Sequence, residues 1–255
     1  MVLAEFGAYE YGGIGNRSNL GLMRSLFLIF VSLFLAVAHP VAADDHRPVV
    51  VELYTSQGCS SCPPADALLT KLSGRDDVIA LALHVDYWDY LGWEDAFASA
   101  DYSARQRAYA KAAHKRTVYT PQVIVQGVGH AVGNRVDDVE HLIAYHKNRA
   151  KAVDIELERS GSKLFITATA EGGSVGRAVI QIVRYVPEKT VSIEAGENAG
   201  RKIVYTNIVT EWRPLTQWNG RGTITANTVV TGAEPIVVLV QSLGLGPIIA
   251  AEVLR

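Results

Sequence analysis

The chain has 255 residues, of which 49% are hydrophobic and 20% are charged. This length is enough for two ordinary domains, and the composition is too apolar and too mixed in charge for a mainly disordered protein. The 24 basic and 26 acidic residues give a formal net charge of −2. A chain with this balance has no strongly positive surface to attract a polyanion, so we predict no nucleic-acid-binding role.

The N-terminal segment has the pattern of a secretory signal peptide. An apolar run, residues 26–38, contains one polar member, Ser32, and follows the positive residue Arg24. The run is shorter than the ~20 residues of a membrane-spanning helix, and small residues follow it. We expect cleavage after Ala43, or alternatively after Ala38. The expected product is a periplasmic or secreted bacterial protein with no stable transmembrane anchor.

Met23 immediately precedes this pattern. We therefore interpret residues 1–22 as an upstream start-codon misassignment and residues 1–43 as that extension plus the signal peptide. An uncleaved membrane anchor is the alternative interpretation.

A strand–helix–strand unit follows the signal. Residues 49–56 and 78–85 are mostly apolar, as buried parallel strands are. Between them, Cys59 and Cys62 lead into a segment that ends at Gly74 and has apolar residues at helical spacing: Ala65, Leu68, Leu69 and Leu72. This order predicts a βαβ unit with a right-handed crossover.

The next segments complete the predicted first domain, residues 44–150. Residues 86–116 are interpreted as a helical insertion that begins with an aromatic connection. The dipeptide Thr120-Pro121 then precedes a short hairpin. A helical face over residues 136–149 begins with acidic and ends with basic residues, which complements the helix dipole.

From residue 153 the pattern changes to short alternating segments separated by Gly, Asn and Pro turns. Such alternation is typical of antiparallel strands with one buried face. We predict a second domain over residues 151–255, an antiparallel all-β sandwich of six to eight strands.

The two cysteines are the strongest chemical feature of the sequence. Cys59 and Cys62 are the chain's only cysteines, so a disulfide scaffold is excluded. A helix N-terminus stabilises a thiolate, and Cys59 lies just before the predicted helix. Cys62 is one helical turn further on, close enough to resolve a mixed disulfide. We predict a redox centre in which Cys59 is the nucleophile and Cys62 is the resolving cysteine.

Two other interpretations of the cysteine pair stay open. A structural disulfide would close a very short loop and therefore stabilise the fold weakly. A metal site would need ligands beyond two thiolates, and the histidines His84, His114 and His130 have no characteristic spacing to the pair.

Residues 47–150 resemble the thioredoxin superfamily. Cys59 and Cys62 stand between a strand and a helix, as the redox motif of that superfamily does. The resemblance implies that Thr120-Pro121 forms a cis-proline loop that binds a substrate strand. It also implies that Glu52 is a buried acid that takes protons from the resolving cysteine, although Glu52 is one residue further from the first cysteine than usual.

The exported chain resembles the DUF1223 family more closely, on the motifs ELYTSQGCSSCPPAD, HVDYWDYLGW and VYTPQVIV. This resemblance implies a secreted, thioredoxin-like protein. Within the second motif, Trp88 is a candidate substrate contact, with packing in the core or at its rim as the alternative.

We therefore expect an α/β thioredoxin-like domain with a helical insertion, followed by a β-sandwich-like domain. The expected function is thiol–disulfide oxidoreduction with a protein thiol or disulfide as substrate or redox partner, and with no cofactor. Two alternatives remain. One is a protein that binds or delivers a soft metal such as copper, and the other is a redox-inactive module that binds a partner in the cell envelope.

Overall fold

The computed structural model describes residues 47–149 and 152–255, together with residues 7, 10, 12 and 13. The predicted signal peptide, its apolar run and both candidate cleavage sites lie outside the described residues. None of the helices in the described part is long and apolar enough to cross a membrane.

The described residues form three α-helices, one 3-10 turn and eleven strands. In chain order these are β1 (Val49–Thr55), α1 (Pro63–Ser73), β2 (Val78–His84), the turn Asp89–Leu91, α2 (Ala100–Ala112), β3 (Gln122–Val125), β4 (Gly129–Val132), α3 (Val136–Lys147), β5 (Val153–Ser160), β6 (Lys163–Ala170), β7 (Ala178–Ser192), β8 (Lys202–Trp218), β9 (Thr223–Val229), β10 (Ile236–Ser242) and β11 (Ile248–Leu254).

The first strands form the parallel pair that the sequence predicts. β1 and β2 pair in parallel from Val49 opposite Val78 to Thr55 opposite His84. All residues of both strands are buried, which explains why neither strand alternates between apolar and polar residues. α1 connects the two strands and begins at two consecutive prolines, which suit a first helical turn.

One eight-stranded mixed sheet extends on both sides of this pair, in the order β11-β10-β7-β8-β2-β1-β3-β4. β3 is antiparallel to β1, and β4 is antiparallel to β3. On the other side, β8 pairs in parallel with β2 where Ile208 lies opposite Ala82. β7, β10 and β11 then follow as antiparallel neighbours.

The predicted fold class, an α/β thioredoxin-like domain followed by an all-β sandwich-like domain, is wrong. The protein is mostly β, because strands that follow residue 152 join the sheet begun by β1 and β2. The physical reason is burial: the central part of β7 and nearly all of β10 are enclosed on both faces, as the interior of a large sheet requires. The predicted division of the chain at residues 150 and 151 falls between α3 and β5 and stays a prediction.

Three apolar clusters hold these layers together. One lies between the β1–β2–β3 part of the sheet and helices α1 and α3. A second covers the opposite face of those strands and includes Tyr102 and Tyr109 of α2. A third lies between strands β7 and β10 of the large sheet and a three-stranded sheet in the order β5-β6-β9.

The fold brings four chain segments to the carboxyl end of β1. The cysteine loop leaves β1 there, and the loop after β2 leaves its neighbour at the same edge. Thr120-Pro121 lies at the start of β3, which runs in the opposite direction to β1. The long β7–β8 hairpin reaches the same place with its tip.

Candidate functional site

The cysteine loop is a tight turn that leads directly into α1. Cys59 donates its amide to the Ser56 carbonyl, and Cys62 donates to the Cys59 carbonyl. Cys62 is the residue before the helix, and its carbonyl accepts the first helical hydrogen bonds. Cys59 and Cys62 form a disulfide, with Cα atoms 5.4 Å apart. The predicted position of the pair at a helix N-terminus is therefore present in the structure.

The disulfide is buried although the residues between the cysteines are not. Cys59 and Cys62 are 1% and 0% exposed, whereas Ser60 and Ser61 are exposed. The Ser61 hydroxyl lies 3.4 Å from the Cys59 sulfur. The sulfur atoms are thus one layer beneath a polar surface.

Trp88, Thr120 and Pro121 lie beside this loop. The Trp88 indole donates a 2.7 Å hydrogen bond to the Thr120 hydroxyl. Trp88 also packs on Gly58, where an added Cβ would lie 3.3 Å from the Trp88 Cβ. The Thr120–Pro121 peptide bond is cis, as the sequence predicts.

Gly133 shows how close Pro121 is to the cysteine helix. A Cβ added at Gly133 would lie 3.0 Å from the Cβ atoms of both Pro121 and Ala65, the third residue of α1. The structure therefore brings together Cys59, Cys62, Trp88, Thr120 and Pro121 around the start of α1.

Glu52 is held in a separate buried network. Its carboxylate accepts two hydrogen bonds from Arg105, at 2.8 and 3.0 Å, and one each from the Tyr54 and Tyr109 hydroxyls. Burial and the Glu52 charge raise the pKa of both tyrosines well above its ordinary value. Arg105 also lies over the Trp212 ring, 3.7 Å from its centre. The Glu52 carboxylate is thus fixed by a full set of partners.

A second buried carboxyl, which we did not predict from the sequence, belongs to Asp66, four residues after Cys62. Asp66 lies on α1 one turn after Cys62 and donates its amide to the Cys62 carbonyl at 3.1 Å. Its Oδ1 atom accepts a 2.8 Å hydrogen bond from Thr55, while Oδ2 has no protein partner among the described residues. Burial raises the pKa of Asp66 to about 7, although His84 and the Thr55 hydrogen bond oppose that shift.

His84 and Asp95 form a buried pair next to Asp66. The His84 Nδ1 atom lies 2.7 Å from the Asp95 carboxylate, and both side chains are fully buried. Asp95 also accepts the Gln57 amide at 2.8 Å, so it anchors the start of the cysteine loop. The Tyr205 ring packs edge-on against His84, with ring centres 4.9 Å apart. Buried polar side chains therefore adjoin the start of the cysteine loop and the first turn of α1.

Sequence patterns gave ordinary explanations for these residues. An acid in the first turn of a helix, such as Asp66, complements the helix dipole wherever it points. A histidine in an apolar strand, such as His84, is usually a satisfied core residue. One sequence feature does indicate that Asp66 is buried: it shares the apolar helix face formed by Ala65, Leu68 and Leu69.

Metal-binding groups are not assembled in the described ranges. Residues 47–149 and 152–255 contain no cluster of three or more His, Cys, Asp or Glu side chains that could hold a metal ion.

The fold and the site define a class of β-rich protein. In this class a buried disulfide joins two cysteines that are separated by two residues and lie at the start of a helix. Residues 50–241 match the model of a family described as a protein of unknown function, DUF1223. The chain belongs to the DUF1223 family, as its sequence motifs predict.

Solved structures with a similar fold are known. The chain is similar to the X-ray crystal structure of a protein from Agrobacterium tumefaciens, with 32% identity and a TM-score of 0.71. The similarity covers 83% of this chain and 96% of that one. HBP35 of Porphyromonas gingivalis has 14% identity and a TM-score of 0.55, over 82% of this chain and 75% of that one, which is a likeness of fold alone. Among curated proteins none matches the chain significantly.

Proposed function

We propose that the protein is a thiol–disulfide oxidoreductase that uses Cys59 and Cys62. The observation that carries the proposal is the placement of this disulfide: it joins residues three apart at a helix N-terminus, one turn from the buried Asp66 carboxyl. A loop this short makes a poor structural brace. A thiolate beside unpaired helix amides is stabilised, which favours exchange.

The exchange requires a partner, because the chain has no second cysteine pair. A thiolate of a partner protein dithiol attacks the Cys59 sulfur. The Cys59–Cys62 bond breaks, and its electron pair leaves on Cys62. The second partner thiolate then attacks the partner sulfur of the mixed disulfide and releases Cys59. The partner is oxidised to a disulfide, its two protons balance the two new thiols, and the reverse sequence oxidises Cys59 and Cys62.

We propose that Asp66 gives a proton to the Cys62 sulfur when the disulfide is reduced and takes it back when the disulfide forms. Residues four apart in a helix share a face, and helical side chains point back toward the N-terminus. Asp66 therefore lies on the helix face that continues from Cys62, and this placement supports the proposal. A carboxyl with a pKa of about 7 can give and take a proton near neutral pH. The role predicted for Glu52 stays a prediction, and Glu52 already accepts four hydrogen bonds.

Thr120, Pro121 and Trp88 are proposed to contact the partner segment that carries the reacting sulfur. Their support is position, since Trp88 touches both the cysteine loop and Thr120. A periplasmic or secreted location is part of the same proposal, because a disulfide persists in oxidising compartments. A soft-metal function has no comparable support in the described residues.

Trapping experiments with single-cysteine variants test the proposed chemistry. Cys62→Ser keeps the nucleophile but cannot resolve, so it should accumulate a mixed disulfide on Cys59 when mixed with a disulfide-bearing protein. Cys59→Ser is the matched control and should form far less adduct. Equal, slow adduct formation by both variants, as for an ordinary peptide thiol, would overturn the proposal. Mass spectrometry of the non-reduced protein reports both results.

A second experiment tests whether Asp66 supplies the proton. The rate at which the oxidised protein is reduced is measured at a series of pH values and divided by the concentration of partner thiolate at each pH. In the wild type this rate should fall above pH 7, because Asp66 then lacks the proton that Cys62 needs. Asp66→Asn should remove the fall and Glu52→Gln should keep it; the opposite result would return the role to Glu52.

A further inference from the structure

A segment that is distant in the chain contacts the backbone of the loop that carries the disulfide. A partner thiolate must reach the Cys59 sulfur, yet Cys59 is 1% exposed. The turn at the tip of the β7–β8 hairpin, residues 193–201, lies against the cysteine loop. We call these nine residues the hairpin cap.

The hairpin is built to reach this position. β7 and β8 are 15 and 17 residues long, whereas β10 pairs with β7 only from Ala178 to Arg184. Beyond that point the two strands continue as a pair up to Ser192 opposite Lys202. On the way the Thr206 hydroxyl lies 2.9 Å from that of Thr70 on α1.

One side chain makes the main polar contact of the cap. Asn198 is 1% exposed, and its amide nitrogen donates to the carbonyls of both Gln57 and Cys59, each at 2.9 Å. A weaker contact joins the exposed Glu197 carboxylate to the Ser60 amide at 3.3 Å. Gly196 also packs closely on Trp93, because an added Cβ at Gly196 would lie 3.1 Å from the Trp93 Cβ.

The cap is closed within itself. Four backbone hydrogen bonds connect its own residues: Ile193 to Arg201, Gly200 to Ile193, Ala199 to Gly196 and Arg201 to Asn198. The cap is therefore one compact turn, and hydrogen bonds of Asn198 and Glu197 hold it to the cysteine loop.

Resting on the proposed function, we propose that the hairpin cap controls access of the partner thiol to Cys59 and that Asn198 is its latch. In the closed state Asn198 also fixes the Gln57 and Cys59 carbonyls and so positions the loop. Opening exposes the Cys59 sulfur together with these two carbonyls and the Ser60 amide, which are backbone groups that an extended polypeptide segment can bond in turn. Asn198 is a positioning residue in this scheme.

The test compares reduction of the oxidised full chain by dithiothreitol and by a small reduced dithiol protein. Asn198→Ala should be reduced about tenfold faster by both, the factor expected when one to two neutral hydrogen bonds are lost. Asn198→Asp has the same size but cannot donate to the carbonyls, so it should show at least the same acceleration. Asn227→Ala, on the exposed edge of β9, is the control and should match the wild type.

Hydrogen exchange separates release of the cap from general destabilisation. In Asn198→Ala the amides of residues 57–62 and 193–201 should exchange faster, while those of β1 and β2 keep wild-type protection. Faster hydrogen exchange throughout Asn198→Ala would overturn the proposal that the hairpin cap controls access. Rates of reduction of Asn198→Ala within twofold of those of Asn227→Ala would overturn it as well. If dithiothreitol acts faster on Asn198→Ala but the dithiol protein reduces no variant, the cap stands and the proposed protein exchange fails.

Discussion

The residue with the clearest pH signature is Asp66. Its folded pKa is about 7 against an ordinary value of 3.8. Between these values the folded protein holds a proton that the unfolded chain has lost. The free energy of unfolding should therefore fall as pH rises from about 4 to 7, by up to about 4 kcal/mol.

Asp66→Asn removes this titration. The variant should gain about 2 to 4 kcal/mol relative to the wild type between pH 4 and pH 8, measured by urea unfolding of the oxidised proteins. Asp76→Asn changes an exposed acid nearby and should show no such gain. Parallel stability curves for the wild type and Asp66→Asn would contradict the assignment of a raised pKa.

The Glu52 network makes a different prediction, because its charge is paired. Arg105→Met leaves a fully buried carboxylate without its cation and should lower the free energy of unfolding by about 3 to 5 kcal/mol. Adding Glu52→Gln should recover part of that loss, since no unpaired charge then remains. Arg107→Met alters an exposed arginine of the same helix and is the control. A double variant no more stable than Arg105→Met would contradict the ion-pair account.

Site residues were predictable where a local pattern carries the chemistry. The spacing of Cys59 and Cys62 and the Thr120-Pro121 dipeptide can be found in the sequence, and the structure places them together. Asp66 and Asn198 could not be found in this way. Their significance depends on which loop folds over which helix, and Asn198 lies 139 residues from the carbonyl of Cys59 that it bonds.

At the scale of elements, α1 and the loop containing Pro121 meet at Gly133, which also donates its amide to the Pro121 carbonyl. Gly133→Ala should push the two elements apart and cost about 1 to 3 kcal/mol, as overpacking does. Thermal and urea unfolding measure this loss.

Gly74→Ala is the matched control for that prediction. Its nearest atom would be 3.7 Å away, which is ordinary contact, so stability should change little. A Gly133→Ala protein as stable as Gly74→Ala would show that the contact between α1 and Pro121 is loose.

Most elements could be predicted, but not their partners. β1, β2 and α1 follow from apolar runs and helical spacing, and the parallel pairing of β1 and β2 is confirmed. The lengths of β7 and β8 were missed, because their outer halves contain charged and turn-forming residues that are typical of loops. These strands extend so far because they pair with each other from one end to the other, with two register shifts along the way.

At the scale of the whole molecule, many strands of the large sheet contribute to stability. We therefore expect the disulfide to contribute little to the free energy of unfolding. Closing a loop of four residues contributes at most about 2 kcal/mol. The double variant Cys59→Ser, Cys62→Ser should therefore unfold cooperatively in urea, with a loss no larger than this. A loss above about 4 kcal/mol, or failure to fold, would indicate a structural disulfide.

The eight-stranded sheet could not be predicted from the sequence patterns, because one contact between two strands decides it. β8 meets β2 around a single register pair, Ala82 and Ile208, and this contact joins the cysteine-bearing strands to those that follow residue 152. Alternation in the later strands indicates a buried face but not which layer covers it. The sequence was therefore compatible with two separate domains.

If Cys59 and Cys62 exchange in the native protein, a redox titration with mass-shift labelling of both thiols will show it. We expect the native protein to be reduced reversibly in one two-electron step. After reduction, Cys59 should be alkylated much faster than Cys62. A disulfide that remains unlabelled under excess dithiothreitol until the protein unfolds would contradict the claim, as would two thiols with equal, slow alkylation.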